Sequence, residues 1–374
     1  MKNFTSGLYI NQGTYKSFLP EPLNRKWALD NLEVISLLSR ADRELGRLDM
    51  YSEYIPNIDL FISMHVLKEA TQSSKIEGTY TNIEDALLDR TDISDEKCDD
   101  WEEVRNYTQA LNFAISELDR LPFSSRLIKQ THEILLQGVR GKYKTPGEFR
   151  VSQNWIGGAS IADAAFIPPV NTEINGLMID LEKFSHNDEI KLPQLLKIAL
   201  IHYQFETIHP FLDGNGRVGR LMITLYLVEK GILKRPVLYL SDFFERNRSL
   251  YYDNLMKVRA HNDLEQWFKF FLVGVIETAK SSIETFDKIL KLQKEVDEKL
   301  QRLGTRTIHA RTVMEYLYQR PLINAAKVKE LTGMSIPSAY KLVKELEELN
   351  ILDEITGAKR GRKYWFSDYI QLFK

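Results

Sequence analysis

The sequence predicts a mainly α protein: a helical bundle carrying a small β-hairpin flap, followed by a smaller module with a helix-turn-helix and two strands. Three observations predict it. Residues 192–208 (LPQLLKIALIHYQFETI) and 217–230 (RVGRLMITLYLVEK) are apolar around the whole helical circumference, as helices inside a bundle are. Other long stretches without proline repeat their apolar residues at helical spacing. Glycine and proline gather in one patch, residues 143–170, around VSQNWI, where Pro146, Gly147, Gly157, Gly158, Pro168 and Pro169 mark a short hairpin or flap and the one clearly non-helical region.

Taken in chain order, residues 27–48 read as helix, and Pro56 interrupts. Residues 58–77 follow as a second helix, with Leu60, Met64 and Leu67 as an apolar stripe, and Gly78 stands where a helix-terminating glycine belongs. Residues 101–118, 125–138 and 171–184 continue the helical pattern. The two buried helices come next, the second stopped by Gly231. From 264 to 303 a long amphipathic helix leaves the core, and a boundary falls near residues 300–305. We expect an amino-terminal helical region (1–100), a core (101–275), a linker helix (276–304) and a carboxyl-terminal domain (305–374).

Composition narrows the class. At roughly 150 residues per domain, 374 residues suggest two or three domains. Fifty Lys and Arg against 52 Asp and Glu argue against a nucleic-acid wrapper or a cationic membrane binder. The single cysteine, Cys98, excludes an intrachain disulfide or a multi-cysteine metal site and suits a reducing cytoplasm. The first sixteen residues lack an apolar core with a small-residue cleavage site, and no stretch nears the roughly 18 apolar residues that would cross a bilayer. The expectation is a soluble, cytoplasmic protein with no membrane partner.

Between the two buried helices lies HPFLDGNGRVGR, residues 209–220. His209 precedes Pro210, which pushes it out of the α region and ends the first helix. Gly214 and Gly216 flank Asn215 and let backbone N–H groups converge into an anion-binding concavity at the start of the next helix. Arg217 and Arg220 share one face of that helix's first turns, where cations oppose the macrodipole by about half a kcal/mol each. A polyphosphate would satisfy the glycine N–H groups and both guanidiniums together. Asp213 suits a Mg²⁺ that bridges phosphates, and His209, with an ordinary pKa of about 6.5, suits removal of a proton from an attacking hydroxyl.

The string resembles the signature of the Fic (filamentation induced by cAMP) family at every specified position of His-Pro-Phe-x-Asp-Gly-Asn-Gly-Arg-x-x-Arg. PGEFR (146–150) with QNWIGG (153–158) is similar to the family's flap, and NRSLYY (247–252) to its nucleobase-proximal segment. The resemblance implies a Fic-type bundle that acts as a protein adenylyltransferase, moving AMP from ATP, with Mg²⁺, to a Tyr, Thr or Ser hydroxyl of a target protein. It implies His209 as general base and Asp213 as metal ligand. Asn215 with the N–H groups of Gly214 and Gly216 would hold the α-phosphate, Arg217 the distal phosphates, and Arg220, with Val218 and Gly219 between, would complete the ATP clamp. Backbone at Ile156, Gly157 and Gly158 would cover the nucleotide and align the target by strand pairing, and Tyr251 and Tyr252 would line the adenine pocket. Those tyrosines read equally well as a core aromatic pair. Kinase relatives carry a lysine where Gly216 stands, so AMP transfer is favoured over phosphate transfer, with phosphocholine-nucleotide donors left open. Ala159 stands where some relatives place a histidine.

Ser73-Ser-Lys-Ile-Glu77-Gly78 fits the family's inhibitory motif. Glu77 sits at a predicted helix carboxyl end, where the dipole disfavours an anion and a cationic partner is wanted. The resemblance implies that Glu77 pairs with Arg220 at rest and displaces the ATP γ-phosphate, and in some relatives the same glutamate supports removal of AMP.

Residues 305–374 carry a net charge of +4. Residues 324–331 and 335–349, separated by a Thr-Gly-Met turn, read as helix-turn-helix, and 351–355 with 363–366 as a two-stranded wing. This resembles a winged helix-turn-helix domain. Lys341 and Lys344 share their helix with Glu345, Glu347 and Glu348, which leaves Arg360, Arg362 and Lys363 as the better phosphate contacts. Expected partners are therefore a protein target, the chain itself through auto-AMPylation, a second copy in a homodimer, and DNA through residues 305–374. The alternative function is a DNA-binding regulator whose core senses nucleotide without modifying anything. The intact base, metal ligand and clamp favour the enzyme.

Overall fold

The computed structural model describes residues 4–138, 143–358 and 361–374. Its centre is a pair of helices, α7 (Gln194–Ile208) and α8 (Asn215–Glu229); every residue of α7 from Leu195 onward is buried. Leucine, isoleucine and aromatic side chains around the full circumference leave α7 no solvent face, so other helices must enclose it.

The chain begins with a hairpin, β1 (Gly7–Asn11) and β2 (Lys16–Pro20), paired antiparallel with Gly7 opposite Pro20. This corrects the expectation of a single non-helical patch. The hairpin is anchored by the Phe18 N–H on the Ile167 carbonyl and by Ser6 on the Asn262 side chain. Next comes α1 (Leu32–Tyr54), which starts five residues later than expected because the Asn31 side chain accepts from the Glu33 and Val34 N–H groups and caps it. α2 (Ile58–Ile76) follows closely on Pro56 and ends on Glu77 and the positive-φ Gly78, as expected. The short α3 (Ile83–Leu87) leads to α4 (Asp95–Glu117), α5 (Ser125–Leu135) and, after the flap, α6 (Ile174–His186).

Of the expected α2 stripe only Met64 is fully buried; Leu60 and Leu67 are half-exposed, while Phe61, His65, Val66, Glu69 and Ala70 are buried. α2 packs against α4, α8 and the later helices α9 (Ser241–Arg246) and α12 (Thr307–Gln319), so no single stripe describes its contacts. Glu69 fixes it further, accepting from the Tyr107 hydroxyl at 2.9 Å and from the Ser241 N–H and hydroxyl at 3.1 and 2.5 Å. Burial raises the Glu69 carboxyl, and these donors oppose the rise.

The expected flap hairpin is reduced to one antiparallel bridge, Ile156 with Phe166, closed by a turn in which the Asp163 carboxylate accepts from Ala159 and Ser160. After α10 (Arg248–His261), α11 (Leu264–Leu300) runs 37 residues along α1. The chain turns at Gly304 (φ 57°, ψ −125°) into α12, β3 (Leu322–Asn324), α13 (Ala325–Thr332), α14 (Ile336–Glu348), β4 (Asp353–Glu354), β5 (Lys363–Trp365) and α15 (Ser367–Gln371). The three strands form one antiparallel sheet in the order β3-β5-β4.

This carboxyl-terminal unit is fastened to the bundle. Tyr318 stacks edge-on against Phe61 at 5.3 Å, Phe373 packs edge-on to His65 at 5.0 Å, and Arg320 meets Asp89 at 2.6 Å. Lys363 is held by Asp89 and Asp92 with its side chain 15% exposed, so it is not a free phosphate contact. The Arg362 Nε donates to the Ala358 carbonyl, and Arg360 lies outside the described residues. Among the described residues no helix is long and apolar enough to cross a membrane.

Candidate active site

The α7–α8 junction is built by two residues in left-handed conformation. His209 (φ 49°, ψ 60°) ends α7, its N–H on the Phe205 carbonyl; Gly214 (φ 73°) starts α8. A histidine adopts that conformation only when its surroundings impose it. Here Pro210 follows, and the His209 carbonyl accepts from Arg150 Nε at 2.9 Å and Asn154 Nδ2 at 3.3 Å. Its Nδ1 is buried and meets no hydrogen-bond partner among the described residues. Burial first, then the Arg259 and Arg150 charges, lower the His209 pKa to about 3, against a smaller upward pull from Glu77. The imidazole is therefore neutral, and in this state its surroundings disfavour the imidazolium.

The loop between them is held from inside. Asn215, 2% exposed, accepts from the Phe211 N–H at 2.8 Å and donates to the Phe211 carbonyl at 2.9 Å, so its side chain shapes the loop. Asp213 Oδ1 accepts from the Gly214 N–H at 2.6 Å, and the Asp213 side chain is 46% exposed at the site's mouth. His132 accepts the Gly147 N–H on Nδ1 at 2.9 Å, leaving Nε2–H to donate to the Asp213 carbonyl at 3.0 Å. Burial lowers the His132 pKa to about 4, which keeps that tautomer neutral.

Arg217 and Arg220 sit at the α8 start. Arg217 meets Glu103 at 3.2 Å and Asp213 at 3.6 Å. Arg220 is 2% exposed; its Nη2 lies 2.6 Å from Glu77 Oε1 and donates to the Ser73 carbonyl, and its Nε donates to the Ser73 hydroxyl at 2.9 Å. Burial would raise the Glu77 carboxyl, but the Arg220 guanidinium outweighs it and holds it below its ordinary value. Burial likewise opposes the Arg220 charge, and Glu77, with smaller help from Tyr251, Tyr252 and Glu206, more than offsets it, raising Arg220.

Three of the expected nucleotide contacts, Tyr251, Val218 and Gly219, are buried. Tyr251 is 1% exposed, stacked on Phe244 at 4.5 Å with its hydroxyl 2.8 Å from His202 Nε2, and so belongs to the core. Tyr252, one residue on and 38% exposed, is the one that reaches the surface. Val218 is fully buried with its N–H on the Gly214 carbonyl. Gly219 faces Glu206: a Cβ there would lie 2.4 Å from Glu206 Oε1. Ile156 is half-buried, and Gly157 and Gly158 are exposed at positive φ.

Sequence reasoning passed over Arg150, His132, Glu103, Arg259 and Glu206. Glu206 lies one turn before His209; burial pushes its carboxyl up to about 7, and Oε1 has no partner among the described residues. Only the position of Arg150 beside the glycine-rich patch, and of Glu206 in an otherwise apolar helix, could have drawn attention to them.

A glycine-flanked helix start, two arginines, a carboxylate at the mouth and a neutral histidine thus meet at the α7–α8 junction. Residues 35–116 match the family model "Fic/DOC family N-terminal", and residues 122–227 match "Fic/DOC family". The chain belongs to the Fic/DOC family. It is 34% identical over 177 residues to a probable protein adenylyltransferase of Aquifex aeolicus (strain VF5), covering 46% of this chain and 50% of the relative. It is 27% identical over 181 residues to protein adenylyltransferase Fic of Drosophila erecta, covering 46% of this chain and 34% of that protein. The chain spans a third to a half of the length of such relatives. The fold is also that of a Fic family protein from Desulfovibrio desulfuricans G20 (TM-score 0.57, 18% identity, 91% of this chain and 98% of that one). A Fic domain containing signaling protein from Bacteroides thetaiotaomicron VPI-5482 is similar too (TM-score 0.52, 19% identity, 67% and 95%).

Proposed function

We propose that this protein is a protein adenylyltransferase that moves AMP from ATP to a Tyr, Thr or Ser hydroxyl of a protein, and that Glu77 restrains it by occupying Arg220. The observation that carries this reading is the meeting, at one helix start, of a neutral His209, a backbone anion nest and two arginines, one of them paired with Glu77 at 2.6 Å. His209 would take the acceptor hydroxyl's proton as that oxygen attacks the α-phosphorus and pyrophosphate leaves. Arg217 and Arg220 would stabilise the charge on the distal phosphates. Mg²⁺ fits: Asp213 offers one accessible carboxylate, and Mg²⁺ commonly takes one or two carboxylates and completes its shell with phosphate oxygens and water. It would neutralise phosphate charge. Among the described residues no group of three metal-ligating side chains exists, so the ion would be shared with the nucleotide.

In this reading residues 101–275 form the catalytic core, α2 within residues 1–100 the restraint, and 305–374 a winged-helix module that serves docking. Targets include the chain itself, and a buried Cys98 suits the cytoplasm. The test is autoradiography with α-³²P-ATP and Mg²⁺ on wild type, Glu77→Gly and Glu77→Gly/His209→Ala, with γ-labelled ATP in parallel. Label from the α position alone, strong in Glu77→Gly and absent in the double variant, is expected. Label from the γ position would mean a kinase, and none from either would mean another donor or a non-enzymatic nucleotide sensor.

A further inference from the structure

Arg150 is 2% exposed, and among the described residues no carboxylate pairs with it. A buried guanidinium without a counter-ion is costly unless its donors are satisfied, so its retention points to what those donors hold. Nε donates to the His209 carbonyl at 2.9 Å and Nη1 to the Ser152 carbonyl at 3.0 Å. Nη2 donates to the Pro169 carbonyl at 2.6 Å and, more weakly, to Ile208 at 3.4 Å. The Arg150 N–H adds a bond to the Pro210 carbonyl at 2.8 Å. Ser152 and Pro169 are the two roots of the flap, and Ile208 to Pro210 are the turn that carries the base. One planar group thus sets the spacing between the base's backbone and both ends of the flap.

Asn154 works on the same turn from the flap side, its Nδ2 donating to the His209 and Phe211 carbonyls at 3.3 and 2.9 Å. The left-handed His209 is the strained member of the frame, and these donors are what over-determine it. A lysine has the charge of Arg150 but neither its planar fork nor its number of donors.

We infer that Arg150 is a positioning residue that locks the His209 backbone and both flap roots into one rigid frame, so that base and acceptor hydroxyl meet in line; the inference rests on reading His209 as the base and the flap as the target's docking edge. It touches no substrate atom. Its loss should therefore lower turnover far more than nucleotide binding, which belongs to the loop and the α8 start.

The test uses the full chain carrying Glu77→Gly, with Arg150→Gln, Arg150→Lys or the milder Asn154→Ala added. For both Arg150 variants kcat is expected to fall about 100-fold, the cost of misplacing a reacting group by about an ångström, with KM for ATP within about threefold. Asn154→Ala, at a half-exposed position, is expected to lower kcat about tenfold with the same split. Chymotrypsin cleavage at Trp155 and Phe166, mapped by mass, is expected to quicken at least tenfold in the Arg150 variants while far-ultraviolet circular dichroism stays unchanged. Full activity in Arg150→Lys would overturn the inference, because charge alone would then suffice. So would equal loss of kcat and ATP affinity across all three variants. Absence of label in the Glu77→Gly parent would instead defeat the adenylyltransferase reading, and the cleavage rates, measured without nucleotide, would still decide whether Arg150 holds the flap to the His209 turn.

Discussion

Glu77 and Gly216 are in contact across the site: a Cβ built on Gly216 would lie 2.2 Å from Glu77 Oε1 and 2.9 Å from Arg220 Nη1. The absence of a side chain at Gly216 is thus what lets the Glu77–Arg220 pair close over the start of α8. Any substitution there must evict Glu77 or strain the pair. In wild type, Gly216→Ala is expected to push the flexible Glu77 carboxylate off the buried Arg220 guanidinium and to cost roughly 1–3 kcal/mol of stability, the range for losing a hydrogen bond to a charged group. In the Glu77→Gly background the clash partner is gone, so the same change should cost clearly less. A urea-denaturation double-mutant cycle measures the difference, expected to exceed about 1 kcal/mol. Additive effects would show that the two residues do not share the space.

Ser73 supplies the second hold on Arg220, through its hydroxyl and its carbonyl. Ser73→Ala removes one acceptor from a buried guanidinium, a loss of about 1–2 kcal/mol, and leaves the Glu77 carboxylate in place. The restraint proposed for Glu77 should then loosen without disappearing. AMP incorporation in Ser73→Ala is expected to rise several-fold over wild type and to stay well below Glu77→Gly. A rate equal to that of wild type would mean that Ser73 takes no part in the restraint.

Much of this arrangement was legible from the sequence where chemistry and spacing are local. α7 and α8 announce themselves because they lack a polar face, and residues 209–220 carry their chemistry in one loop. The closeness of Glu77 and Arg220, 143 positions apart, followed only from pairing a family motif with a helix-dipole argument. The Arg150 web left no such signal, because its partners are carbonyl oxygens, which every residue possesses. Tyr251 and Tyr252 look alike in sequence, yet successive helical residues point about 100° apart, so one entered the core and the other did not. Lys363 looked free because its partners, Asp89 and Asp92, are more than 270 positions away. The β1–β2 hairpin was missed because its strands are short, and the Gln12–Tyr15 turn that joins them lacks an Asn-Gly or Asp-Gly pair.

Phe61 couples α2 to the carboxyl-terminal unit. Its ring is fully buried and meets Tyr318 edge-on. Phe61→Ala is expected to destabilise the protein by about 3–5 kcal/mol, the range for a buried phenylalanine. Because the cavity opens between α2 and α12, the loss should lower the thermal midpoint of the whole chain in a single transition. A variant that unfolds the carboxyl-terminal unit separately, with the bundle's transition unmoved, would show the two to be energetically independent.

The His209 protonation state gives a direct reading of the site's electrostatics. Burial and the charges of Arg259 and Arg150 lower its pKa to about 3, and Glu77 alone among the neighbouring charges pulls upward. A histidine so depressed is neutral at every pH above that value, so the free protein should show no His209 titration between pH 5 and 8. Phosphates bound beside His209 would reverse the sign. A polyanion within about 6 Å favours the imidazolium, and in Glu77→Gly with ATP bound the pKa should climb toward the ordinary value near 6.5. That shift would bring the base closest to operating pH only when its substrate is present. Histidine-selective ¹⁵N labelling, with His209→Ala to assign the signal, follows both states. A free-protein titration near 6.5 would contradict the burial argument, and an unmoved pKa on ATP binding would place the phosphates away from His209.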